Sequence, residues 1–212
     1  MVILVATVGF DEKFIIRSIM RHSDHLEKII LVVAEPVDTR VEKALLSVQQ
    51  FVNTVVKSVE RNIELMIYRI DPRDFYRSIS LIREQCFKEV GTKYVVNLSG
   101  GMRVLILATL AAAISSNIDL IIEVELENFL SVINIDPRVY RFAILDDYKK
   151  RIIRSLYKLG EATYKDLMKD TQIPRATLFR NLKELRQMGL ITVTRFGRDS
   201  LYRLTDLGKA FL

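Results

Sequence analysis

Five short runs of nearly unbroken apolar residues punctuate the first 125 positions: Val2–Ala6, Ile29–Val33, Leu65–Ile70, Tyr94–Val96 and Leu120–Val124. Strands buried on both faces read this way, as parallel sheets require. Between the runs, apolar residues return every three or four positions. That period predicts helices over Asp11–Arg21, Val41–Val59, Ser78–Val90 and Met102–Ser116. In the second, Val41, Leu45, Val48, Val52, Val55 and Val59 share one face. Alternation of this kind implies a doubly wound α/β sheet with right-handed crossovers. A sixth run, Leu130–Ile135, follows Glu127-Asn128 so closely that it predicts a hairpin with the fifth strand and an antiparallel edge.

The pattern changes after residue 145. An amphipathic helix is expected over Tyr148–Leu159, stopped by Gly160. Thr163 is placed to cap a short second helix with Tyr164, Leu167 and Met168. Thr171-Gln172-Ile173 makes the turn, and Pro174 suits the first position of a third helix running to about Met188. Leu178, Leu182 and Leu185 form its core face. Arg175 opens the helix, and Ala176, Arg180, Lys183 and Gln187, with Thr177 beside them, form its outer face. Two strands, Leu190–Thr194 and Ser200–Leu204, then flank Arg195-Phe196-Gly197-Arg198-Asp199. The order helix, helix-turn-helix, basic hairpin reads as a winged helix-turn-helix. The domains are therefore expected at 1–145 and 146–212.

Ligands of doubly wound sheets bind beyond the carboxyl ends of the strands, where the strand order reverses. In a 3-2-1-4-5 order the reversal lies between the first and fourth strands. The first ends in Thr7-Val8-Gly9-Phe10. The fourth ends in Asn97-Leu98-Ser99-Gly100-Gly101-Met102-Arg103. A glycine pair permits close approach to backbone N–H groups, the following helix adds its positive end, and Arg103 adds a full charge. Such a corner suits phosphate. It has neither the Lys-Ser/Thr ending of a P-loop nor the spacing of a dinucleotide fingerprint. Taken alone, the glycines also fit a plain tight turn from strand to helix.

Charge separates the two halves. Of 32 Lys+Arg and 26 Asp+Glu, residues 1–145 hold 17 and 18, and residues 146–212 hold 15 and 8. The excess of +6 thus lies wholly in the last third, which points that part toward nucleic acid. Its expected contacts with double-stranded DNA are Arg175, Ala176, Thr177, Arg180, Lys183 and Gln187 on the third helix, with Arg195 and Arg198 at the hairpin tip. The single cysteine excludes an internal disulfide and a cysteine-built zinc site. Neither a membrane-length apolar run nor a signal peptide is present, so a soluble cytoplasmic protein is expected.

Catalytic chemistry has little to stand on. His22 and His25 close the first helix beside Ser23 and Asp24 and are expected in solvent. Glu123, Glu125 and Glu127 alternate along a strand. A solvated edge is the expectation, with a metal site as the alternative. Cys86 is expected to pack as a small apolar group. No catalytic residue, metal ligand or cofactor is assigned.

Thr7-Val8-Gly9-Phe10 resembles the Thr-x-Gly-Phe turn of CRISPR-associated transcription regulators of archaeal type I-A systems. Asn97-Leu98-Ser99-Gly100-Gly101-Met102-Arg103 resembles their second turn, usually Asp-Leu-Thr-x-Gly-x-Arg. Here Asn97 replaces the acid and Ser99 the threonine, which keeps hydrogen bonding and loses a carboxylate. The family joins a CRISPR-associated Rossmann-fold (CARF) domain to a winged helix, and the resemblance covers essentially the whole chain. It implies a homodimer that binds a cyclic oligoadenylate, here the tetra-adenylate, across its two-fold axis at Thr7–Phe10 and Asn97–Arg103. Backbone N–H groups and Arg103 would hold phosphates, and Asn97 and Ser99 ribose or base edges. It further implies a ligand-responsive regulator of CRISPR-associated genes. A ring nuclease is the alternative, in which a ribose 2′-hydroxyl of the bound ring attacks the adjacent phosphate, with positioning and charge stabilisation alone as catalysis.

Overall fold

The computed structural model describes residues 2–59, 63–128, 131–141, 145–197 and 199–212. Met1, Leu130 and Arg198 lie outside these residues, as do the side chains of Val55 and Val59. The chain forms two compact units, Met1–Pro137 and Arg138–Leu212. This boundary precedes residue 145 because Val139 packs on the core of the second unit.

In the first unit β1 (Val2–Thr7), α1 (Lys13–His22), β2 (Leu26–Ala34), α2 (Thr39–Val59), β3 (Glu64–Ile70), α3 (Phe75–Cys86), β4 (Lys93–Asn97), α4 (Arg103–Ser115), β5 (Leu120–Glu125) and β6 (Val132–Ile135) follow one another. The strand order is β3-β2-β1-β4-β5-β6. The first five strands run parallel, and β6 returns antiparallel along β5. The sheet is Rossmann-like, mixed and mostly parallel. Every residue of β1 is buried, which is why its apolar run is unbroken.

Side-chain alternation divides the sheet between two helical layers. Ile3, Val5, Val32 and Val96 meet Ile82 of α3 and Leu105 and Ala108 of α4. Leu4, Ala6, Leu31 and Val95 meet Ile15 and Ile19 of α1 and Val48 and Val52 of α2. Taking each large apolar side chain fully out of water contributes about 1.5–3 kcal/mol, so a slip of one residue would be severely penalised. Cys86 packs in the first of these layers, and burial pushes its thiol up to about 12. α3 ends there rather than at Val90. The Phe87 N–H closes on the Arg83 carbonyl, and the Phe87 ring then meets Tyr94, centroids 5.6 Å apart.

The acidic residues of β5 correct the expectation of a solvated edge. β6 covers that side of the strand, and Glu123 and Glu125 are buried, 4% and 3% exposed. They are gripped by the polar side of α1. Ser18 Oγ donates to Glu123 Oε2 at 3.0 Å. Arg21 spans both acids, 3.2 Å from Glu123 and 2.9 Å from Glu125, and Arg17 Nε lies 2.8 Å from Glu125. His22 is not in open solvent: its Nε2 sits 2.6 Å from Glu123 Oε1. Two carboxylates below two guanidiniums leave no uncompensated buried charge.

The second unit contains α5 (Arg138–Arg141), α6 (Asp147–Leu159), β7 (Glu161–Thr163), α7 (Tyr164–Thr171), α8 (Arg175–Gln187), β8 (Ile191–Phe196), β9 (Asp199–Leu204) and α9 (Asp206–Lys209). Thr163 and Asp166 cap α7 reciprocally. Pro174 is the N-cap of α8 rather than its first residue, since its ψ of 143° is extended. β7, too short to show a period of two, pairs with β9 in the order β7-β9-β8. The unit is a winged helix-turn-helix built on Ile152, Leu156, Leu167, Leu178, Leu182 and Leu185.

The charge network has a measurable pH signature. Burial pushes the Glu123 carboxyl up, but the hydrogen bond and charge of His22, the charge of Arg21 and the Ser18 hydroxyl outweigh it and hold it below the ordinary 4.5. Its stabilisation is complete above that ordinary value and drains as pH falls through the folded-state value. Glu123→Gln should therefore cost about 2 kcal/mol at neutral pH. That lies below the 3–5 of a fully buried pair because the cations stay partly exposed. Thermal melts against pH should show the gap between wild type and variant closing as the solution is acidified below pH 4.5.

Candidate functional site

β1 and β4 are adjacent and parallel, so the turns that leave them emerge side by side. They interlock. The Thr7 hydroxyl donates to the Gly100 carbonyl, across 93 residues of sequence. A Cβ on Gly9 would stand 2.4 Å from the Gly101 nitrogen, so only glycine lets the two backbones meet. Gly101 has φ +118°, a region closed to other residues without strain, and its own Cβ would crowd Thr7 at 3.1 Å.

The residues of the second turn divide into supports and exposed groups. Asn97 is fully buried, and its Oδ1 accepts the Ser99 N–H at 3.1 Å. Its Nδ2 is a buried donor without a partner among the described residues. Ser99 Oγ accepts the Glu125 N–H at 2.8 Å, which fastens the turn to β5. Thr7, Val8 and Leu98 are buried as well. Phe10, Met102 and Arg103 remain exposed, beside half-buried Gly100 and Gly101. Met102, the N-cap of α4, makes no side-chain cap, and the helix's first N–H groups, which have no partner within the helix, lie at this corner.

Beside the corner lies a cavity of about 400 Å³. Val8, Gly9, Phe10, Gly100, Gly101 and Met102 line it. Sequence reasoning missed the other wall: Asp11 and Phe14 from the start of α1, and Ala34, Pro36, Asp38 and Val41 from the end of β2 into α2. The lining is mainly apolar, with two carboxylates. Arg40 lies over the Phe10 ring, 3.8 Å from its centroid. It also pairs with Asp38, and its guanidinium holds that carboxyl below its ordinary value. Neither Asn97, Ser99 nor Arg103 lines this cavity. Among the described residues no group of three or more His, Cys, Asp or Glu is placed to hold a metal ion.

In the second unit α8 presents Arg175, Ala176, Arg180, Lys183 and Gln187 to solvent, with Thr177 half-buried. Arg180 stands 4.0 Å from Glu184. Arg195 is exposed near the end of β8, and Arg198 lies outside the described residues. Phe179, passed over in the helical pattern, is 64% exposed on the same helix. It joins Tyr164 and Tyr202 around a cleft of about 630 Å³ beside the wing.

The fold and the corner define a class: a Rossmann-like domain with a glycine corner at its switch point, joined to a winged helix-turn-helix. The Csa3 CRISPR-associated Rossmann-like domain family matches residues 2–136, and a winged helix-turn-helix DNA-binding family matches residues 145–192. The chain belongs to the Csa3 family. Csm6 of Enterococcus italicus, solved bound to cyclic hexa-2'-fluoro-hexa-dAMP, is 13% identical over 90% of this chain and 56% of its own, with a TM-score of 0.52. That likeness shows the fold. Can2 from Sulfobacillus thermosulfidooxidans, solved with cyclic tetra-adenylate, is 14% identical over 93% of this chain and 55% of its own, with a TM-score of 0.42. BpsR of Bordetella bronchiseptica, a protein whose DNA binding is regulated by 6-hydroxynicotinic acid, is 25% identical over 34% of this chain and 56% of its own, with a TM-score of 0.31. The chain thus spans little more than half the length of these structures. No curated protein sequence matches it.

The interlock yields a paired prediction. Gly9→Ala drives a methyl into backbone and should cost about 1–3 kcal/mol, the range for overpacking. Gly100→Ala, whose nearest neighbour would be 3.6 Å away, should melt like the wild type. Urea unfolding of the two variants separates them.

Proposed function

We propose that the chain is a DNA-binding transcription regulator whose N-terminal domain takes a cyclic oligoadenylate, best the tetra-adenylate, as effector. The observation that carries this reading is the interlocked glycine corner beside a mainly apolar cavity. Half-buried glycine backbone at Gly100 and Gly101, the uncapped start of α4 and the Arg103 charge suit phosphate. The adjoining cavity, with Phe10, Phe14 and Met102 as walls, suits a base. Its carboxylates, Asp11 and Asp38, can accept from an exocyclic amine. The first domain has no basic excess to draw a long nucleic acid, so a compact polyanion fits it better.

A ring with four phosphates matches a two-fold assembly, in which each subunit binds an equivalent half. The outer side of α4 supports a homodimer. Between Arg103 and Ser115 it carries no charge, and Val104 and Leu107 are 41% and 55% exposed, next to Met102 at 52%. The winged helix would bind a promoter of CRISPR-associated genes through α8 and the wing. Membership of a CRISPR-associated family supports that target, and an archaeal type I-A system in the cytoplasm is the setting we assign. Among the described residues no helix is long and apolar enough to cross a membrane. We take the chain as a binder of the ring rather than an enzyme that consumes it.

Two measurements test this. Cyclic tetra-adenylate should raise the thermal midpoint, because a ligand of the folded state stabilises it by mass action. Calorimetry should give one ring per two chains, and Arg103→Ala should weaken binding about tenfold, as removal of one charge-assisted hydrogen bond does. Absence of any shift with rings of four or six adenylates would sink the effector reading, and linear products in the mixture would make the protein a nuclease. Separately, Arg180→Ala and Lys183→Ala should each weaken duplex binding. The log–log salt slope should drop by about 0.9 for each phosphate that is no longer neutralised. Unchanged affinity in both would remove α8 from the DNA interface.

A further inference from the structure

Phe179 is a large apolar side chain left in water on the helix expected to face DNA. At 64% exposure it is among the most exposed aromatic residues described. It sits in the first half of α8, whose core side is held by Leu178, Leu182 and Leu185. In a helix-turn-helix the N-terminal part of the recognition helix reaches base edges. At helical spacing, Phe179 shares its face with Ala176, Lys183 and Arg186, three, four and seven positions away. Arg175 and Arg180 flank it. Each of these four cations is exposed. On the same helix Glu184 is half-buried and drawn to Lys149 at 2.8 Å, and across the cleft Asp199 is the one carboxylate among the residues that line it.

This setting decides what covers the ring. The centre of a protein–protein interface is depleted in charge, whereas four exposed cations accompany Phe179 along α8. Duplex DNA has the opposite make-up: phosphates at the rim for the cations and, in the major groove, one apolar group, the 5-methyl of thymine. The ring also borders an open cleft with Tyr164 and Tyr202, so it is not folded flat against the wing. We propose that Phe179 is a specificity-determining residue that contacts a thymine methyl in the major groove, and that this chain selects thymine over cytosine at that step of each half-site. The inference rests on the DNA-binding reading above and deepens it.

The test begins with selection of duplexes from a random library by the full-length protein, with and without cyclic tetra-adenylate. In the selected site each thymine is then replaced, one at a time, by deoxyuridine, which removes only the methyl. One replacement per half-site should lower wild-type affinity about fourfold, the value of one buried methyl group. Phe179→Ala should bind both duplexes equally, and Phe179→Leu should keep part of the discrimination. The salt slope should stay at the wild-type value in both variants, since the ring touches no phosphate. Circular dichroism and light scattering check that the variants fold and assemble alike; an exposed side chain predicts that they do. Indifference of the wild type to every deoxyuridine, or an equal loss in Phe179→Ala, overturns the inference and leaves DNA binding standing. A change of oligomeric state in Phe179→Ala also overturns it, because the ring would then cover protein. Failure of the wild type to retain any duplex brings down the DNA-binding reading itself, and the inference with it.

Discussion

The first domain depends on one contact: two backbones meeting where β1 and β4 end. Gly9 lies so close to Gly101 that a methyl between them would reach the neighbouring nitrogen. The Thr7 hydroxyl bonds to the Gly100 carbonyl across the same seam. That meeting sets where α4 begins, since Met102 and Arg103 follow at once. It also forms the inner wall of the cavity, because Gly9, Gly100 and Gly101 all line it. The reversal of strand order creates the crevice, and the glycines let the chain close its floor with backbone alone.

A second constraint secures the corner from behind. Glu123 and Glu125 are too deeply placed to be tolerated alone, and the polar side of α1 compensates them. Buried ion pairs are weak sources of net stability but strict about geometry, because either partner alone is costly. Here the geometry they dictate is the position of α1 over β5. The peptide N–H of Glu125 in turn holds Ser99. The second turn is therefore tied to a helix whose own N-terminal end, at Asp11 and Phe14, lines the cavity. A group entering that cavity would touch elements already linked through the buried charges.

The two units divide the chemistry. The first carries near-balanced charge and holds one crevice whose inner wall is backbone at Gly9, Gly100 and Gly101. The second carries the basic excess, spread over α8 and its surroundings. On the proposed function, long-range attraction to a duplex would belong to the winged helix, and short-range discrimination of a small polyanion to the crevice. Phe179 adds an apolar surface to a face otherwise made of cations and small residues.

Much of this was legible in the order of residues. Unbroken apolar runs between helical periods require a parallel sheet covered on both faces, because only burial on both sides makes polar alternation costly. Glycines after two such runs, Gly9 after the first and Gly100-Gly101 after the fourth, mark places where side chains cannot be accommodated. Thr163 before Asp166, and the basic outer face of α8, are local signals complete within a few residues. The tertiary structure decided what local sequence does not encode. Glu123 and Glu125 look like a wet strand edge until β6 covers it and α1 lies over them. His22 looks like a helix end in water until Glu123 stands 2.6 Å away. Pro36, Asp38 and Val41 lie about thirty residues from the Thr-x-Gly-Phe turn and sixty from the glycine pair. They reach the cavity only because β2 pairs with β1, and pairing between strands is a property of the folded sheet.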